Sequence, residues 1–261
     1  MIHLMTPGQD ETETTRADQA EATYERLFGP RDLTAAESDP ELMEILRRFI
    51  FSDVFGTGVL GDQERELITV TVLSCLQCLP QLTAHTAAAL NVGVPPVAIR
   101  EAVYQLAPFI GFPRTLNAVA TINEVFAARG IDLPLPAQGT VTDDVRYERG
   151  LDQQAPLYGN EIKDNLADLP EPFNDALPRF LTEFGFGDFY TRGGLTVAQR
   201  ELLVLCALAT IGDTSAQLGP HGLACLKLGH SKTELVAALV HCFPYIGFPR
   251  AVAAIRAVKA L

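Results

Sequence analysis

Apolar positions in this chain follow helical rather than alternating patterns. Two segments, 68–76 (ITVTVLSCL) and 202–211 (LLVLCALATI), are apolar almost all the way round a helix. A helix of that kind is normally enclosed by protein on every side. No run of alternating β-branched residues lies between hairpin turns, so strands are not predicted. The pattern therefore indicates an all-α protein whose most apolar helices need cover, which we expect from association of its parts and of several chains.

The chain repeats itself. The segment RELITVTVLSCL begins at Arg65 and RELLVLCALATI begins at Arg200. Each of these helices is followed by two further shared motifs. QLTAH (81–85) matches QLGPH (217–221), and GFPR occurs after both. Self-similarity at a fixed period indicates a repeat architecture. We therefore predict two tandem helical-bundle repeats packed as a pseudo-dimer.

The duplication divides the chain into four parts. A disordered or loosely ordered acidic tail precedes the first repeat, and a segment rich in proline separates the two repeats. The predicted ranges are 1–18 for the tail, 19–130 for the first repeat, 131–142 for the linker and 143–261 for the second repeat.

Several helix ends can be predicted from local sequence. Thr196 with Gln199 forms a capping-box pattern before the second apolar helix. Ser231, with a glutamate three residues later, caps a helix predicted to run to about Tyr245. The two Gly-Phe-Pro triplets, at 111–113 and 247–249, break the chain before the last helix of each repeat.

Composition excludes some classes of partner. The 261 residues carry 20 Lys+Arg and 32 Asp+Glu, a net charge of −12, whereas a nucleic-acid-binding surface needs a basic face. Residues 67–99 carry no charged side chain, but prolines and polar residues interrupt them, so a membrane-spanning helix is not expected. With no signal sequence visible and an odd number of cysteines, five, reduced thiols and a cytoplasmic location are expected.

Two histidines have the same helical neighbour in both repeats. Gln81 precedes His85 by one turn, and Gln217 precedes His221 in the same way. Imidazole exchanges protons near neutral pH, and a polar neighbour can fix its tautomer. The alternative interpretation is a buried histidine that only hydrogen-bonds a neighbouring helix.

Charged residues recur at the ends of the repeated helices. Glu66 and Glu201 lie in the first turn of the apolar helices, where each could form a structural ion pair or meet the histidine as a proton-transfer pair. Arg114 and Arg250 follow the Gly-Phe-Pro breaks and could bind an anion or could simply be structural.

Cys75 and Cys78 form a CxxC pair in the first repeat only. The pair could be a redox site, or both thiols could be packing residues. No second CxxC and no histidine pair at ligand spacing occur in the sequence, so a metal site is not predicted.

Each repeat carries an ordered set of motifs. The first has RELITVTVLSCL, QLTAH, AALNVG, IREAV and GFPRTLNA, and the second has RELLVLCALA, QLGPH, CLKLG and GFPRAVAA. This set resembles the carboxymuconolactone decarboxylase family, which includes the alkylhydroperoxidases. The resemblance implies an all-helical, cofactor-free protein that forms a homo-trimer or another homo-oligomer.

The two branches of that family differ in their cysteines. The thiol peroxidases use Glu-x11-Cys-x2-Cys-x3-His, and here Cys78 falls on the first cysteine but Gln81 stands at the second, with Cys75 one turn too early. The decarboxylases of the family need no cysteine. Resemblance to them implies His85 or His221 as proton donor, held by Glu66 or Glu201.

Three hypotheses follow. The first is a cofactor-free decarboxylase acting on a small carboxylated lactone or a related unsaturated acid, with Gln81, Gln217, Arg114 and Arg250 as candidate substrate-binding residues. The second is a thiol-dependent peroxidase using Cys75 and Cys78. The third is a non-catalytic oligomeric binding protein.

Overall fold

The computed structural model describes residues 14–30 and 38–261. The chain forms two compact units, Met1–Gly56 and Thr57–Leu261. Most of the predicted acidic tail, residues 1–13, lies outside the described residues, and the first helix begins at Arg16, inside the predicted tail. No strand occurs in the described ranges, and the all-α class is confirmed.

The first unit contains two α-helices and a π-helical segment. Thr15 and Asp18 form a capping box at the start of the first helix. Arg16, on the same helix, forms an ion pair with Asp53. The helices are α1 (Arg16–Phe28) and α2 (Pro40–Arg48), followed by a π-helix (Phe49–Val54) and a 3-10 turn (Phe55–Thr57) that leads into the second unit.

The second unit holds both apolar helices and the segments packed around them. Its first half contains α3 (Asp62–Leu76), α4 (Leu79–Asn91), α5 (Pro96–Tyr104), α6 (Ala107–Ile110) and α7 (Phe112–Ala128). Its second half contains α8 (Arg146–Tyr158), α9 (Glu161–Asn165), α10 (Phe173–Phe180), a second π-helix (Leu181–Tyr190), α11 (Val197–Ile211), α12 (Ser215–Lys227), α13 (Lys232–His241) and α14 (Phe243–Lys259).

The two apolar helices, α3 and α11, pack against each other at the centre of this unit. Every residue of 65–75 and of 200–210 is buried. Each repeat therefore supplies part of the cover that the apolar helix of the other needs, which confirms the predicted two-repeat architecture. Association of several chains stays a prediction.

Helix ends agree with the local sequence in most places. Both predicted capping boxes, at Thr196 and Ser231, are present. Gly111 and Gly247 have φ of 78° and 76°, and both break the helix there. No helix occurs between α7 and α8, where the linker was predicted.

One predicted helix end is wrong. The helix capped by Ser231 ends at His241 rather than near Tyr245, and α14 begins at Phe243. Pro244 explains the earlier end, because proline has no N–H to continue the helical ladder and its ring clashes with the carbonyl four residues before. Proline is instead accepted in the first turn of the new helix.

Among the described residues, no helix combines the length and the apolar character that crossing a membrane requires.

Candidate active site

The second repeat brings its histidine and its glutamate together. Glu201 is the fifth residue of α11, just past the first turn in which the sequence placed it, and His221 lies in the middle of α12. His221 Nδ1 is 2.8 Å from Glu201 Oε2. The Glu201 side chain is fully buried, whereas His221 keeps 14 % of its side-chain surface exposed. The pair therefore places a buried carboxylate behind an accessible imidazole.

Two tyrosine hydroxyl groups complete this cluster. Tyr158 Oη donates to Glu201 Oε2 at 2.8 Å and lies 2.7 Å from His221 Nδ1. Tyr190 Oη donates to the other carboxylate oxygen, Oε1, at 2.7 Å. Burial and the negative charge of Glu201 raise the pKa of both phenols, so both stay protonated and act as donors.

Close packing of two helices positions these tyrosines. Tyr158 ends α8, and Tyr190 ends the π-helix that packs against α8. At Gly150, in the middle of α8, an added Cβ would lie 2.2 Å from the carbonyl oxygen of Thr182 in the π-helix. Only glycine permits so close an approach, and that approach brings both phenols to one carboxylate.

The hydrogen bonds fix which imidazole nitrogen remains available. Nδ1 of His221 faces Glu201 and Tyr158, and no described residue hydrogen-bonds Nε2. An ionised carboxylate can only accept, so the neutral imidazole carries its proton on Nδ1. Nε2 is then free to take up or deliver a proton.

A cavity of about 390 Å³ opens beside His221. Phe109 of α6, from the first repeat, forms part of its wall and packs edge-on against the His221 ring with centroids 6.1 Å apart. Apolar and aromatic side chains predominate in the wall. The lining residues are Gln105, Pro108, Phe109, Tyr158, Glu161, Ile162, Asn165, Leu166, Leu181, Gly185, Phe186, Tyr190, Ala216, Gln217, Pro220 and His221.

The first repeat contains the same pair with different surroundings. His85 Nδ1 lies 2.9 Å from Glu66 Oε2. The Tyr245 ring, from the second repeat, packs edge-on against His85 with centroids 5.8 Å apart. Glu66 Oε1 is buried and has no hydrogen-bond partner among the described residues. In the repeat alignment Phe55 stands at the position of Tyr190 and has no hydroxyl group to donate.

A second histidine, His241, lies near the first pair. Its Nε2 is 2.9 Å from Thr69 Oγ1 and 3.1 Å from the Arg65 carbonyl oxygen, and its Nδ1 is 3.2 Å from Arg65 Nη1. Complete burial, with the positive charge of Arg65 beside it, lowers the pKa of His241 to about 3. His241 is therefore neutral near pH 7 and serves as a hydrogen-bonding residue of the core.

The candidate substrate-binding residues are placed differently from one another. Gln217 lines the cavity, whereas Gln81 is exposed on α4. Arg250 Nη1 donates to the Thr210 carbonyl at 2.7 Å, and the Arg114 carbonyl accepts from Gln77 Nε2 at 2.9 Å. The described lining of the cavity includes neither arginine.

Cys75 and Cys78 are both free thiols. Cys75 is buried near the end of α3, and burial raises its pKa to about 12. Cys78, at the N-cap of α4, is half-buried. Since the thiolate is the reactive form, Cys75 is a poor nucleophile in this conformation.

Metal ligands do not gather in the parts of the chain that the structure describes. Across 14–30 and 38–261, no group of three or more His, Cys, Asp or Glu side chains converges on a possible metal site.

Sequence reasoning missed Tyr158 and Tyr190. The repeat alignment contains one indication of Tyr190, because FIFSDVF in the first repeat becomes FGFGDFY in the second and exchanges a phenylalanine for a tyrosine. Tyr158 lies 43 residues before Glu201 on a helix without a recognisable motif, so no spacing pattern identifies it.

Comparison with known proteins places this architecture in a family. The sequence profile described as "Carboxymuconolactone decarboxylase family" matches residues 40–124 and 175–260, one match in each repeat. The chain belongs to this family. It is 29 % identical over 114 residues to 4-carboxymuconolactone decarboxylase of Acinetobacter baylyi, covering 44 % of this chain and 84 % of that protein. It is also 28 % identical over 109 residues to nitrosuccinic acid decarboxylase of Metarhizium robertsii, covering 41 % and 75 %.

Proposed function

We propose that this protein is a cofactor-free decarboxylase acting on a small carboxylated lactone or a related unsaturated acid, with His221 as its proton donor. One observation carries the proposal: His221 forms part of the cavity wall while Glu201 and Tyr158 hold its Nδ1. The remaining nitrogen, Nε2, is the group that can exchange a proton with a bound molecule. The names of both relatives, each a decarboxylase, support the reaction class.

The reaction needs little beyond an apolar cavity and one proton. As the bond from carbon to the carboxylate breaks, CO₂ leaves and the electron pair passes into the conjugated system of the substrate. The His221 imidazolium then delivers the Nε2 proton to carbon, and solvent restores that proton afterwards. Walls that include Phe109, Ile162 and Phe186 remove water from the carboxylate and favour loss of its charge.

Histidine-to-alanine variants test the proposal and distinguish the repeats. We expect His221→Ala to lower kcat by about 100-fold or more, the usual contribution of a general acid. His85→Ala reports whether the first repeat contributes, and the double variant reports any shared role. The measurements are release of CO₂ from a panel of carboxylated lactones and consumption of organic peroxides, each with and without a thiol reductant.

His230→Ala is the matched control, because that histidine bonds the Ala198 carbonyl outside the cavity. Full turnover by the double variant would exclude the histidine mechanism. Consumption of peroxide that requires the reductant would instead favour the thiol peroxidase.

A further inference from the structure

Gln105, at the end of α5 in the first repeat, reaches the cavity of the second repeat. It lines that cavity and is only 1 % exposed. Its Oε1 accepts from Arg200 Nη1 at 3.5 Å. A guanidinium group can only donate, so the amide oxygen faces Arg200 and the amide nitrogen takes the other position.

The amide nitrogen of Gln105 is left without a partner. Nε2 is buried and forms no hydrogen bond with any described residue. A buried N–H donor without an acceptor destabilises the folded state, and such groups are uncommon in folded proteins. Because Gln105 belongs to the cavity wall, an oxygen atom of a bound molecule is the partner that fits.

The corresponding position beside the pair formed by Glu66 and His85 does not offer the same donor. The repeat alignment pairs Gln105 with His241. Arg65 and Thr69 occupy both ring nitrogens of His241. An available donor at this position is therefore specific to the cavity beside His221.

We propose that Gln105 Nε2 donates a hydrogen bond to the substrate carbonyl oxygen that receives negative charge when CO₂ leaves. This inference rests on the proposed decarboxylation. The electron pair of the broken bond to the carboxylate moves through the conjugated system to that oxygen, and His221 then protonates carbon. A donor fixed by Arg200 is already in place as the charge develops, which lowers the barrier without further reorganisation.

A matched pair of inert probes tests the contact by binding alone. A carboxymethyl butenolide carries a ring carbonyl, and cyclopentenylacetate carries the same carboxylate on a five-membered ring without it. We expect calorimetry to show that Gln105→Leu binds the butenolide roughly fivefold to tenfold more weakly, with affinity for cyclopentenylacetate unchanged. Gln105→Met keeps roughly the same shape and removes the donor without adding a charge, so it gives the same result if the leucine variant does not fold.

Gln63→Leu is the control, since the Gln63 amide already donates to the Val92 carbonyl, outside this cavity. Equal affinity of wild type and both Gln105 variants for the butenolide overturns the proposal, as does failure of the wild type to bind it.

Turnover supplies an independent measurement. With a substrate that the wild type converts, both Gln105 variants should lose about 100-fold in kcat, the usual effect of removing one oxyanion donor. His221→Ala should lose turnover while keeping the carbonyl preference of the two probes. If no lactone is turned over but the preference depends on Gln105, decarboxylation fails and the contact stands.

Discussion

Glu201 is stabilised in the core by three hydrogen-bonding partners. A buried carboxylate is strongly disfavoured unless donors replace its water. Tyr158, Tyr190 and His221 supply those donors, and they occupy both of its oxygens. Glu66 Oε1, in the first repeat, finds no donor in the part of the chain that the structure describes. The two pairs of glutamate and histidine therefore differ in electrostatics although their sequence motifs match.

Removing one phenol should weaken the support of the pair formed by Glu201 and His221. Tyr190→Phe takes the only described partner from Glu201 Oε1, and a buried carboxylate oxygen without a donor is unfavourable. The carboxylate then holds the His221 ring less firmly in the position that presents Nε2 to the cavity. We expect kcat to fall about tenfold, the order of one hydrogen bond to a charged group, measured by steady-state kinetics.

Tyr147→Phe, an exposed tyrosine on α8, controls for the substitution itself. A kcat of Tyr190→Phe equal to that of the wild type would show that the phenol only fills space.

The pairing of histidine with glutamate could be anticipated, but the tyrosines could not. Glu66 and His85 are 19 residues apart and Glu201 and His221 are 20 apart. Both repeats thus place the two residue types on successive helices, which made contact one of two interpretations beside an ion pair with arginine. Tyr158 reaches Glu201 because α8 approaches the π-helix at Gly150. That approach depends on tertiary packing, which residue spacing does not encode.

At the scale of elements, caps and breaks were predictable because their hydrogen bonds are local. Thr196 and Ser231 bond to backbone groups three residues away, and the sequence shows both partners. The predicted end of α13 is wrong by four residues, because Pro244 stops the helix before Tyr245 whatever the cap at its start favours. The two π-helices have no established local signature, and sequence reasoning did not find them.

The break inside α14 depends on a glycine conformation. Gly247 has φ 76° and ψ 160°, a region that only glycine adopts readily. We expect Gly247→Ala to lower the free energy of unfolding by about 1–3 kcal/mol through backbone strain, measured by urea denaturation.

Gly219→Ala is the informative comparison, because Gly219 lies inside α12 with nothing within 4 Å of an added Cβ. That change should cost less than Gly247→Ala, because the backbone at 219 is helical and only the following Pro220 disfavours a side chain there. A neutral Gly247→Ala variant would contradict the strain argument.

At the scale of the molecule, each repeat contributes an aromatic ring to the histidine of the other. Phe109 of the first repeat contacts His221, and Tyr245 of the second contacts His85. Duplication was evident from the sequence, and so was the need of α3 and α11 for mutual cover. Which residues cross between repeats was not evident, because crossing contacts have no fixed separation along the chain.

His241 also links the repeats, since it bonds Arg65 and Thr69 from α13, and it should make the fold sensitive to acid. Its pKa is about 3 in the folded protein and about 6.5 in an unfolded chain. Between those values the unfolded chain binds the extra proton, so its contribution to stability is complete above pH 6.5 and falls as the pH decreases toward 3. The slope for one such group is at most about 1.4 kcal/mol per pH unit.

His241→Gln removes that titration and installs the residue found at the equivalent position, Gln105. An uncharged amide can still hydrogen-bond Arg65 and Thr69, so we expect the variant to lose stability at neutral pH but to depend less on pH below 6.5. Urea denaturation at a series of pH values measures both effects. Parallel curves for wild type and variant across this range would mean that His241 does not titrate with folding, and that another group causes any acid sensitivity.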